Sequence, residues 1–133
     1  MTIFESKVII NKPLDEVYSF LSNMNNHEQL MPDNISNWTS TKDEAQFSIK
    51  NMASLALKVS NRVENQSISI EPASDAPFKA AIKWNLSENG HYSTEATISI
   101  SAELNMMMKM MAGGMLQNLA DHQAKQLQVS CKL

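Results

Sequence analysis

The sequence predicts an α+β chain in which a seven-stranded curved antiparallel sheet surrounds a long C-terminal helix, with two short helices after strand one. Three observations predict this arrangement. Residues 3 to 10 alternate apolar and polar, residues 35 to 104 repeat with period two between polar breaks, and the chain beyond Asn105 turns helical in composition. The 133 residues are the size of a single domain spanning 1–133, and a content of 43% hydrophobic and 19% charged residues is that of a globular core rather than a disordered chain.

In the first strand Phe4, Ser6, Val8 and Ile10 share one side, opposite Glu5 and Lys7. Pro13 pre-sets a helical φ at a first-turn position, and Asp15 and Glu16 lie where carboxylates favour the positive end of the helix dipole. Leu14, Val17, Tyr18 and Leu21 recur at helical spacing, so a short helix is expected over about 13–22. Asn25 and Asn26 are candidate caps of a second short helix through Met31, which Pro32 stops by disfavouring helical geometry in the residue before it.

Six further strands fit between residues 35 and 104, separated at Lys42-Asp43, Asn51-Met52, Asn65-Gln66, Pro72 to Pro77 and Asn89-Gly90. In the last hairpin Phe78, Ala80, Ile82, Trp84 and Leu86 alternate with polar residues, and Asn-Gly is the favoured two-residue turn because both positions tolerate positive φ. Beyond it Tyr92, Thr94, Ala96, Ile98, Ile100, Ala102 and Leu104 share one face, opposite a polar face that holds Glu95 and Glu103. On the final helix, running to about residue 130, Met108, Ala112, Met115, Leu116 and Leu119 face the sheet, and Gln117, Asp121, Lys125 and Gln128 face away. Gln123 and Gln126 interrupt the apolar face, so shallower burial is expected in the last turns.

Strand, two short helices, six strands and a long helix is the order of the helix-grip fold. With the opening strand leading into Asn11-Lys12-Pro13, the run Val17-Tyr18-Ser19-Phe20-Leu21 and the segment from Asn26-His27 to Pro32, the chain resembles the START-like, Bet v 1-like superfamily, also called SRPBCC, that includes polyketide cyclases and lipid-transfer domains. The resemblance implies a cavity between the concave sheet face and the C-terminal helix that holds a lipid, sterol, polyketide or other apolar compound. It implies no single activity, since function resides in the site and not in the fold. The glycine-rich loop of the plant-allergen branch has no counterpart here, for the chain has only Gly90, Gly113 and Gly114.

The expected walls of such a cavity are Phe47, Ile49, Leu57, Phe78, Trp84, Tyr92 and Ile98 from the sheet. Met108, Met111, Met115 and Leu119 would come from the long helix, and Leu30 and Met31 would stand near the mouth. Six of the ten methionines fall between residues 106 and 115, where flexible, polarizable thioethers suit either adaptable ligand contact or ordinary core filling. The outward Met106, Met107 and Met110 suit a pocket rim, a homodimer contact or a membrane-touching patch. Gly113-Gly114 weakens a helix interior, which allows a kink, a close approach by a strand or ligand, or a tolerated weak spot.

Tyr92 and His122 are the two weak proton-transfer candidates: Tyr92 points toward the expected cavity, while His122 and Lys109 are marginal. No paired carboxylates, nucleophile elbow or phosphate loop occurs. His27, His91 and His122 have no metal-ligand spacing, and no metal or cofactor is expected. A net charge of −3 without a basic stripe argues against nucleic acid. The single cysteine, Cys131, and the absence of a signal-like start or an apolar run of membrane-spanning length suggest a cytoplasmic protein without an integral membrane segment. The leading expectation is a noncatalytic binding or carrier domain for a hydrophobic small molecule, the alternatives being a cyclase- or dehydratase-like enzyme on a polyketide-type substrate and an interaction or dimerisation module using the methionine-rich helix.

Overall fold

The computed structural model describes residues 2–33, 35–49, 54–73, 80–103 and 106–130, excluding the side chains of Ile49, Ala80, residues 107–113 and Met115. The first strand, β1 (Thr2–Ile10), is followed by α1 (Leu14–Leu21) and a short 3₁₀ helix (Met24–Leu30). Six strands come next: β2 (Ile35–Ser40), β3 (Glu44–Ile49), β4 (Ser54–Val63), β5 (Ser67–Pro72), β6 (Ala80–Glu88) and β7 (Thr94–Ala102). The chain closes on the 25-residue helix α2 (Met106–Ser130). All seven strands form one antiparallel sheet in the order β1-β7-β6-β5-β4-β3-β2, so β1 and β2 are its edges.

Burial along β7 alternates without interruption from Thr94 to Ala102, with the even-numbered residues inside. The register puts like faces together across the neighbouring strands. Ile98 stands between Ser6 and Trp84, Ile100 between Phe4 and Ile82, and Ala96 between Val8 and Leu86. This alignment overturns the two-residue Asn89-Gly90 turn. Glu88 pairs with Thr94, leaving a five-residue loop in which the Asn89 N–H donates to the Ser93 carbonyl at 2.9 Å. A two-residue turn would have set Trp84 opposite Glu95 and crossed the apolar face of one strand with the polar face of the other.

Two irregularities bend the sheet and change which residues face inward. In β2 the register shifts between Ser36 and Thr39, where Asn37 takes a left-handed φ of 56°. In β4 it shifts between Val59 and Asn61, so that Val59 opposes Ile70 but Arg62 opposes Ile68. Arg62 is thereby brought to the junction of three segments. Its Nε and Nη2 donate to the Ser22 carbonyl at 3.1 and 2.7 Å, and Nη2 also reaches the Lys42 carbonyl at 3.2 Å and Asp43 Oδ1 at 2.8 Å. The end of α1 and the β2–β3 turn are tied to β4 by this one guanidinium.

The second short helix is 3₁₀ rather than α, and its cap is Asn23, not Asn25 or Asn26. Asn23 Oδ1 accepts from the Asn25 N–H at 3.0 Å. Asn26 instead donates to the Phe20 carbonyl, and Asn25 accepts from Ser40 Oγ. Met31 is extended, with φ −87° and ψ 147°, as Pro32 requires.

Helix α2 packs on β1, β7 and the 3₁₀ helix. The inward face of its last turns is deeply buried, contrary to the expectation from the glutamines: Gln123, Ala124 and Leu127 are all shielded from solvent. Nor does the side expected to face away stand free. Gln117 Nε2 donates to the Glu5 carbonyl at 3.0 Å and Gln128 Nε2 to the Ile9 carbonyl at 2.9 Å, so two side chains occupy backbone acceptors along the outer edge of β1. The helix runs unbroken through 113–114, and a Cβ built at Gly114 meets nothing within 4 Å, so no close approach requires that glycine.

Two stability measurements check these assignments. Gly114→Ala is expected to raise stability by about 1 kcal/mol in chemical denaturation, because an exposed glycine inside a helix carries only its conformational cost. Arg62→Leu is expected to lower it by about 2 kcal/mol, with Arg62→Lys recovering less than half, since an ammonium cannot reproduce the forked contacts to Ser22, Lys42 and Asp43.

Candidate functional site

The concave face presents Ile68, Ile70, Trp84, Leu86, Ala96, Ile98 and Ile100, all buried, to α1, the 3₁₀ helix and α2. Trp84 and Ile98 lie side by side in the register, and with Leu30 they belong to one buried cluster against which Leu57 and Leu119 pack. Six of the expected wall residues thus gather around one interior: these five, and Met31, whose Sδ accepts from Gln123 Nε2 at 3.7 Å. Phe47 is also buried and stacks on Trp38, with ring centroids 5.3 Å apart and planes 12° from parallel. Phe78 and the side chains of Ile49, Met108, Met111 and Met115 lie outside the described residues, as do Met107 and Met110, while Met106 is exposed.

Tyr92 does not belong to this interior. It stands in the β6–β7 loop, not on β7, is 64% exposed, and has a left-handed φ of 55°. The five-residue loop is the reason: alternation from Thr94 cannot be extrapolated through a turn that reverses the chain. Its ring lies edge-on to His91 with centroids 4.0 Å apart. The loop borders a separate open cleft of about 620 Å³, lined also by Pro13, Leu14, Asp15, Asn65 and Glu88. His122 is half-buried on α2. A proton-transfer pair of Tyr92 and His122 facing the expected cavity therefore lacks its tyrosine.

The interior also has polar residues, of which the sequence reading placed Thr94 on the apolar face and did not assign His27 or Gln123 to it. His27 is buried and shares a 2.8 Å hydrogen bond with the Leu21 carbonyl; because a carbonyl only accepts, Nε2 carries the proton. Burial pushes the His27 imidazole below its ordinary value of 6.5, and the bond to Leu21 opposes that shift only in part. Thr94 Oγ1 donates to the Lys12 carbonyl at 2.8 Å, fixing the start of β7 to the link before α1. Gln123, which interrupts the apolar stripe of α2 in sequence, is turned inward and engages Met31.

Trp38 was also missed, because it follows the β2 irregularity and a fixed alternation does not carry across it. Its indole Nε1 and that of Trp84 are both buried with no hydrogen-bond partner among the described residues. Each such donor costs about 1–3 kcal/mol of desolvation. Among the described residues, no cluster of three His, Cys, Asp or Glu side chains suited to a metal ion occurs. No helix among them is long and apolar enough to cross a membrane.

No protein-family model matches the sequence, and no curated protein matches it. Solved structures do. The chain is similar to a START superfamily protein from Mycobacterium smegmatis, with 17% identity, a TM-score of 0.72, and coverage of 98% of this chain and 97% of that one. It is similar to the KanY protein at 11% identity and a TM-score of 0.82, covering 99% and 98% of the two chains. It also matches the di-domain ARO/CYC BexL from the BE-7585A biosynthetic pathway at 11% identity and a TM-score of 0.78, covering all of this chain and 47% of that one. These likenesses show the fold: the chain has the helix-grip fold, shared with a START superfamily protein and with the di-domain ARO/CYC protein.

The buried histidine makes stability depend on pH. The folded state disfavours the imidazolium, so below about pH 6.5 the unfolded chain takes up a proton that the folded chain refuses. The stabilisation is complete above that pH and declines on acidification, by up to about 1.4 kcal/mol per pH unit. Urea unfolding between about pH 7.5 and 5.5, above the carboxylate range, should show this slope, and His27→Gln should flatten it.

Proposed function

We propose that the chain binds or carries a hydrophobic small molecule between the concave face of the sheet and α2, and does so without chemistry. The observation that carries this reading is the Trp38–Phe47 stack. A large, flat aromatic surface is held on the inner side of the sheet at its β2 edge, where Trp38 remains partly exposed. Around it the inner face is apolar, as sites for small hydrophobic guests are, and rigid rings orient such guests at low entropic cost. The methionine-rich stretch from 106 to 115 supplies side chains able to adapt to guests of differing shape.

The fold shared with the ARO/CYC protein is compatible with binding or catalysis. Binding is favoured here because the tyrosine needed for the proposed proton transfer stands on an exposed loop, and His27, Thr94 and Gln123 each have a structural bond. Native mass spectrometry of freshly purified protein, before and after organic extraction, tests the proposal. An adduct that extraction removes is expected, as is a change in tryptophan fluorescence when a lipid or polycyclic aromatic is returned. Trp38→Ala should weaken that binding at least about tenfold, the typical consequence of removing an aromatic anchor. A protein that purifies empty and whose fluorescence ignores the whole panel would refute the reading.

A further inference from the structure

Resting on that reading, we infer that the guest is a neutral molecule bearing a ketone-like oxygen, and that the indole N–H of Trp84 or of Trp38 donates to this oxygen. The argument begins with the donors that the protein itself already uses. Of the buried side chains around the concave face, Thr94 donates to the Lys12 carbonyl, Gln123 to Met31 Sδ, and His27 to the Leu21 carbonyl. Arg62, the cation that the β4 irregularity turns toward the same face, is engaged by Ser22, Lys42 and Asp43. Two buried donors remain without an acceptor among the described residues: Trp84 Nε1 on β6 and Trp38 Nε1 on β2.

The chemistry of these groups selects the guest. Indole N–H donates and cannot accept, so it pairs with a carbonyl or ether oxygen and gives nothing to a pure hydrocarbon. A buried carboxylate is disfavoured as well, because burying an anion requires a partner charge and the guanidinium near this face is already paired. Trp84 is fully enclosed by the core and Trp38 is partly exposed, so the two donors lie at different depths. A site whose polar groups await an acceptor discriminates against analogues that lack one, whereas an apolar wall distinguishes them weakly.

Two sets of matched probes test the inference on the unmodified protein. One is acetylnaphthalene, isopropylnaphthalene and naphthoate; the other is tridecanone, tridecane and tridecanoate. Affinities are measured at neutral pH by heteronuclear NMR, in which the two tryptophans of the chain give two indole N–H signals that Trp38→Phe assigns. The ketone of at least one set should bind about tenfold or more tightly than its hydrocarbon and its carboxylate, and should shift an indole proton downfield as a hydrogen bond forms. Equal affinities within each bound set, a preference for the carboxylate, or ketone binding that leaves both indole protons unmoved would overturn the inference while leaving a hydrophobic carrier standing. Failure of all six probes to bind would count against the carrier reading itself, and the inference would fall with it.

Discussion

Hydrogen-bonded strands in this sheet must present their apolar side chains to the same side, and the remaining architecture follows from that constraint. β7 sits between β1 and β6, and burying Ile98, Ile100 and Trp84 with Ile82 of β6 and Phe4 and Val8 of β1 packed against them requires all three strands to agree in parity. A one-residue slip would bring several of these side chains to the wrong face, at roughly 1.5–3 kcal/mol each. The local preference of Asn-Gly for a tight turn is a far smaller term than several such burials. Burial therefore sets the loop length, and the loop accepts left-handed geometry at Gly90 and also at Tyr92, where a bulky side chain makes it unfavourable.

The same constraint explains what could be read from the chain in advance. The strands were legible from their period-two patterning between polar breaks, which is cleanest in β7, and α1 was legible because Val17 and Leu21 repeat at helical spacing and are both buried. Phe47, Leu57, Trp84 and Ile98 precede or lie apart from the register shifts, so alternation alone gives the side of the sheet on which each stands. Tyr92 lies beyond the end of its strand, where parity has no meaning. Trp38 and Arg62 follow irregularities that carry no glycine, so sequence periodicity had nothing to mark the change of face.

On α2 the difficulty was of another kind. An amide side chain interrupts an apolar stripe on any hydropathy scale, yet its burial is inexpensive once it is bonded. Gln123 faces inward because Met31 is there to meet it, and Gln117 and Gln128 reach the Glu5 and Ile9 carbonyls because β1 is an edge strand. Sheet order is a property of topology, and single-strand patterns do not disclose it. These glutamines also occupy an edge that would otherwise offer free carbonyls to another chain.

Most polar groups around the interior thus hold pieces of backbone in place. Arg62 joins α1 to the β2–β3 turn, His27 joins the 3₁₀ helix to the end of α1, and Thr94 joins β7 to the segment before α1. Each bond terminates on a backbone carbonyl, an acceptor that remains whatever side chains surround it, so the short helices are fixed with little dependence on how the apolar surfaces pack. This leaves the concave floor free of any packing demand that only one set of side chains could meet. A polar frame anchored on backbone carbonyls around a face of aliphatic groups and two indoles is a way for sequences of low identity to share the fold, because such a frame does not depend on which apolar side chains fill the face.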